Sequence, residues 1–223
     1  MRKYHRFIVV LVLVFSIVMG VQSASALNES TFNQVINAGT LVTDIKDASQ
    51  VTVASPSLNM SATNFSFTCQ SGGSASTGVF GTNTERIYVT NPDGADNGWT
   101  LTMAATSGAT SNWSSGYDFN DPGGSGCTDG GDADALGGQL TIDPSASTLT
   151  ADCTSCTSAN IAKGSSAAFN QGTLDSITLL NASNTSDDIG QWYLTDVDVS
   201  QTIPAETAAG SYNIEMTLTA TAS

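Results

Sequence analysis

The stretch of this chain best equipped for chemistry is YDFNDPGGSGCTDGGDADALGG, Tyr117–Gly138. It carries Asp118, Asn120, Asp121, Asp129, Asp132 and Asp134 on a backbone loosened by glycine. Hard oxygen donors on a flexible chain are what Ca²⁺ takes, and main-chain carbonyls can join the shell. The spacing is not that of an EF-hand. Asp118-Phe119-Asn120 begins the pattern, but Pro122 stands at its fifth position and Asp129, not Glu, at its twelfth. The expectation is a calcium loop using these six residues, weighed against a solvated acidic loop with no ion.

The second reactive set is Cys69, Cys127, Cys153 and Cys156. An even count in an exported chain argues for disulfides, and three pairings are open. A bridge from Cys127 to Cys153 or Cys156 would pin the acidic loop to the segment after it. Cys153-Thr154-Ser155-Cys156 also has the spacing of a redox motif. Such motifs open a helix in a βαβ unit, and no such unit is legible here, so a staple is expected. A four-thiolate zinc site is the lesser alternative, because the spacings are irregular.

Composition limits other chemistry. The single histidine, His5, lies in the N-terminal segment, where Arg2, Lys3 and Arg6 precede the apolar run Phe7–Met19 and the small-residue site Ala24-Ser25-Ala26. This reads as a secretory signal peptide over residues 1–26, cut after Ala26, with one domain over residues 27–223. Beyond the cut no histidine remains for a triad or a metal. Of the six Lys and Arg in the sequence, Lys46, Arg86 and Lys163 lie beyond the cut, against 20 acidic residues. The Asp residues lie in polar, Gly-rich loops, where no raised carboxylate pKa is expected, so no enzyme is expected. So acidic a surface repels nucleic acid and anionic lipid. No second apolar segment and no sorting motif follow. Retention at a cell surface would therefore be non-covalent or by assembly.

These residues must be positioned by strands. Tyr212–Ala220 alternates apolar and polar residues without a break, the pattern of a half-buried strand. Similar alternation marks Leu58–Phe67, Arg86–Val89, Gly98–Met103, Gln139–Ile142 and Asp175–Leu179, with a further strand around Thr40–Ile45. Turn-rich stretches such as Asn91-Pro92-Asp93-Gly94 and Gln70–Gly78 separate them. No helical periodicity follows the signal. The fold expected is all-β: a single antiparallel β-sandwich of about ten strands, Greek-key or jelly-roll-like, with a long Gly/Asp-rich loop.

Two of the three tryptophans share one phrase, Trp99-Thr100-Leu101-Thr102 and Trp192-Tyr193-Leu194-Thr195. Residues two apart share a strand face, so Trp99 with Leu101 and Trp192 with Leu194 each point one way. They are either core anchors, the reading physics favours, or aromatic rows that bind a ligand such as a sugar ring.

ERIYVTNPDGADNGWTLTMAAT (Glu85–Thr106) resembles the first half of a WxL domain, in which a turn leads into a Gly-Trp-x-Leu-Thr strand. QWYLTDVDVSQTIPAETAAGSYNIEMTLTATA (Gln191–Ala222) is similar to that family's closing block, and Pro56–Phe67 fits its early strands more loosely. The resemblance implies a bacterial cell-surface module attached non-covalently to the wall, with peptidoglycan or another surface glycan or protein as partner. The displaced second motif, the acidic loop and the CxxC depart from that pattern. Thr31–Leu41, TFNQVINAGTL, is similar to the opening of TasA and camelysin-type matrix proteins. That resemblance implies the alternative: a subunit of an extracellular fibre or surface layer, self-assembled by strand exchange.

Overall fold

Alternation sets the strands. In Trp99–Ala105 every second residue, Trp99, Leu101, Met103 and Ala105, is buried, and those between are half-buried. The computed structural model describes residues 32–114, 116–132 and 134–223; the expected signal peptide lies outside them. The described strands are, in chain order, β1 (Val42–Lys46), β2 (Ser76–Phe80), β3 (Arg86–Asn91), β4 (Trp99–Ala105) and β5 (Asn112–Trp113). There follow β6 (Tyr117–Asp118), β7 (Asn120–Asp121), β8 (Gly138–Asp143), β9 (Thr148–Ala151) and β10 (Ile161–Lys163). The last are β11 (Ala167–Ala168), β12 (Ser176–Ala182), β13 (Gly190–Thr195), β14 (Val197–Thr202) and β15 (Met216–Ala222).

All strand pairs are antiparallel. One sheet runs β1-β3-β13-β9, a second β10-β12-β4-β15 and a third β11-β8-β14-β2, with β7 also against β8; β5 and β6 form a ribbon. The result is an all-β sandwich. Among the described residues, no helix is long and apolar enough to cross a membrane.

One core joins the sheets. Trp99 comes from β4 of the second sheet and Trp192 from β13 of the first. Their ring centroids lie 5.5 Å apart, and both residues are 0% exposed. The neighbours of Trp99 in register are small, Ala182 on β12 and Ala222 on β15. Each indole N–H donates to a main-chain carbonyl, Trp99 to Asp188 at 3.1 Å and Trp192 to Thr157 at 2.7 Å. Burial of these rings therefore leaves no donor unsatisfied.

Several sequence expectations are corrected. Leu58–Phe67 forms no strand. It runs without a regular ladder beside β2, where Ser61 N donates to Thr77 O, and its half-buried Leu58 and Met60 satisfy the apolar alternation by packing against the core. The turn expected over Gln70–Gly78 contains the start of β2. The last strand begins at Met216, although burial already alternates from Tyr212. The chain from Ala38 to Ser223 forms one compact unit. Phe32, Val35 and Ile36 are 94%, 79% and 88% exposed.

The cysteines pair as Cys69–Cys127 and Cys153–Cys156, which leaves no thiolate for zinc. Cys127 ties the acidic loop back to the chain before β2, not forward to Cys153 or Cys156. Two disulfides fit an oxidising, extracellular setting.

Trp99→Ala or Trp192→Ala should each destabilise the fold by about 3–5 kcal/mol. Thr219→Ala, on the exposed face of β15, should change stability by less than about 0.5 kcal/mol. Urea unfolding midpoints at constant m-value measure both.

Candidate functional site

The acidic loop folds around its own carboxylates. Asp118 lies on β6, where its N–H donates to Gly137 O at 2.9 Å and its carbonyl accepts Gln201 Nε2 at 3.1 Å. Gly138 opens β8 directly against it, at φ +137°, and a Cβ there would strike the Asp118 carbonyl. That approach explains the glycine. Asp121 is spent on structure. Its Oδ1 accepts Gly123 N at 3.0 Å and its Oδ2 accepts Gly130 N at 2.6 Å, so the loop wraps round a buried carboxylate.

Three carboxylates converge. Oxygens of Asp118, Asp132 and Asp134 all lie within 4.8 Å of one another, a group that can hold a metal ion. Asp118 is 1% exposed. Its Oδ1 accepts the N–H groups of Phe119 at 2.6 Å and Asn120 at 3.4 Å, while its Oδ2 is buried with no hydrogen-bond partner among the described residues. Burial pushes the Asp118 carboxyl up to about 7 against those two N–H bonds, and the charges of Asp134 and Asp132 add to the rise. Asp132 Oδ1 accepts Asp134 N at 3.0 Å, and Asp134 Oδ1 accepts Leu136 N at 2.9 Å.

Of the six residues expected to bind calcium, these three form the group. Asp121 is engaged as above, and Asp129 accepts Gly131 N at 2.7 Å outside it. Asn120 stands behind the group, 0% exposed, with Nδ2 donating to Ala109 O at 2.8 Å and Oδ1 buried without a partner. A residue that sequence spacing did not offer also reaches the group. The Gln171 carboxamide end lies 2.9 Å from Asp132 Oδ2 and 3.1 Å from Ala109 O. With its nitrogen turned to them it donates to both; with its oxygen turned to them, three oxygens face one another.

The chain matches no family model, no curated protein and no solved structure.

The Trp-x-Leu residues are not at any surface. Trp99, Leu101, Trp192 and Leu194 are each 0% exposed, so the ligand-stacking expectation for all four is set aside: a ring without exposed surface cannot stack on a sugar. What lacks a second ladder is an edge: β1 lies close to β15 without pairing with it. β15 pairs only with β4 among the described residues. Its inward row, Met216, Leu218 and Ala220, is only half-buried. Met216 and Leu218 line an apolar groove of about 760 Å³ that runs on past Leu58, Met60 and Ile45 of β1.

Asp188 holds the start of β4. Its carboxylate accepts the N–H of Gly98, and its carbonyl takes Asn91 Nδ2 at 2.8 Å as well as the Trp99 indole. Burial raises the Asp188 pKa, and neighbouring Asp96 adds to the rise. A raised folded pKa means that the fold binds the proton better than the unfolded chain does. This contribution is full below about pH 4 and is lost as pH rises through the raised value. Asp188→Asn should therefore flatten that part of the melting profile above about pH 4 relative to the parent chain. Parallel profiles for the two proteins would show that Asp188 does not titrate in this way.

Proposed function

We propose that this chain is a structural subunit of an extracellular fibre or surface layer, joined to its neighbours by strand addition. The observation that supports it is the β15 edge, which pairs only with β4 among the described residues, beside a half-covered apolar groove. A strand laid along β15 would gain main-chain hydrogen bonds and bury alternate side chains over Met216 and Leu218, the chemistry of strand augmentation. A donor of the right kind is on the same chain. In Phe32–Ala38, Phe32, Ile36 and Ala38 would share a strand face, and Phe32 and Ile36 are almost fully exposed. Left in water, such side chains favour burial against a second copy.

Attachment to peptidoglycan or another surface glycan or protein, the function implied by the WxL resemblance, takes second place, because Trp99, Leu101, Trp192 and Leu194, the residues expected to contact such a ligand, are buried. The strong negative charge argues against nucleic acid as partner. For the Asp118, Asp132 and Asp134 group the proposed ion is calcium, since the donors are oxygens without a nitrogen or sulfur among them and extracellular chains meet calcium at millimolar levels.

Size-exclusion chromatography and electron microscopy of Leu27–Ser223 at rising concentration test assembly. The parent chain should form species larger than a monomer, and a synthetic Phe32–Leu41 peptide should block them. Ile36→Asp, at a residue 88% exposed, should abolish assembly without moving the melting midpoint. A strictly monomeric parent chain at every concentration would sink the proposal.

A further inference from the structure

We infer that the cation site extends beyond the acidic loop, and that the Gln171 side-chain oxygen and the Ala109 carbonyl complete its shell. The inference rests on the calcium reading above and names ligands from two other loops.

Three acidic residues near one another do not make a site by themselves. Here a second observation points to an ion. Asp118 is 1% exposed, its Oδ2 has no hydrogen-bond partner among the described residues, and a carboxylate oxygen of this residue lies within 4.8 Å of those of Asp132 and Asp134. A buried carboxylate oxygen without a donor is costly to the fold unless something positive meets it. Neither Lys nor Arg does so: the two lysines and the arginine of the described chain are engaged elsewhere, Lys163 with Ser147 O, Lys46 over the Tyr88 ring and Arg86 over the Tyr193 ring.

The Gln171 amide supplies the rest. Gln171 lies in the turn between Asn170 and Leu174, which closes on itself through Leu174 N to Asn170 O at 2.7 Å. Its own N–H donates to Asn120 O at 2.9 Å, so the turn is held to β7. Its side chain ends between Asp132 Oδ2 and Ala109 O. In the ion-free protein the nitrogen faces both and donates to them. When the ion binds, the amide turns over and presents its oxygen. The set is then Asp118, Asp132, Asp134, Gln171 and the Ala109 carbonyl, all oxygens, with water to bring the shell to the about six to eight that Ca²⁺ takes. Mg²⁺ holds its water more tightly and demands an octahedron, so this mixed, loop-built set favours the larger ion. The ion would join the turn after β4 and the acidic loop to a third segment distant in sequence, the turn after β11.

The probes are CaCl₂ by calorimetry and Tb³⁺ by luminescence, the latter excited through Tyr117 and Trp113, whose rings stack 5.8 Å apart beside Asp118. The parent chain should bind one Ca²⁺ and one Tb³⁺. Gln171→Ala should weaken Ca²⁺ binding by about tenfold or more while leaving the melting midpoint in chelator little changed. Gln171→Glu, which keeps an oxygen and removes the NH₂, should restore binding. Equal affinity in Gln171→Ala and the parent chain would overturn the Gln171 assignment and leave the calcium reading intact. Failure of Gln171→Glu to bind while the parent binds would also overturn it. No binding by the parent chain would overturn the calcium reading and this inference together.

Discussion

The contact on which most of this fold depends is the meeting of Trp99 and Trp192. Each ring is delivered by a different sheet, so their contact sets how two of the layers face each other. Each indole also carries a donor that must be satisfied inside the protein. Those donors reach the Asp188 and Thr157 carbonyls, so the same two rings that fill the core also fix two loops at its edge. Asp188 then returns the constraint by holding the Gly98 N–H where β4 begins. Core packing, strand entry and loop position are thereby one coupled arrangement, and loosening any part of it loosens the rest.

Where an apolar row met another sheet, sequence alternation marked the strand correctly, as in Trp99–Ala105. It failed at Leu58–Phe67 because alternation reports a half-buried extended chain, and a chain can be half-buried against a groove without pairing in a ladder. It also failed for β2, whose Ser-Thr-Gly composition looks like a turn and whose strand character comes from its partner β14. The two-residue strands β5, β6 and β7 lie inside stretches that read as loop. They exist because backbone groups there find tertiary partners, which no local pattern reveals.

The acidic loop was half legible. Its density of carboxylates was visible, and three of the six expected ligands converge. What separates Asp118 from Asp121 is only the direction of nearby N–H groups: two of them take both oxygens of Asp121, whereas Asp118 keeps one oxygen bare. Gln171 and Ala109 carry no motif at all, because their relation to the loop is made by the turn after β11 folding onto β7. The cysteines show the same limit. Their count implied staples, but partner choice depends on which strands bring them together, and Cys69 reaches Cys127 through the strands between them.

The Cys69–Cys127 bridge has a mechanical side. Its two ends are 58 residues apart, and β2 through β7 lie inside the ring that it closes. If the chain is pulled from its ends, as a load-bearing surface protein is, the force path crosses the bridge and bypasses that whole stretch. Roughly 200 Å of contour length stays out of reach of extension for as long as the bond holds. The strand most easily peeled is β15 at the sheet edge, while the strands that carry Trp99 and the deepest residues of β3 sit within the locked ring. A chain built this way would yield at its edge strand before it yields within the locked ring.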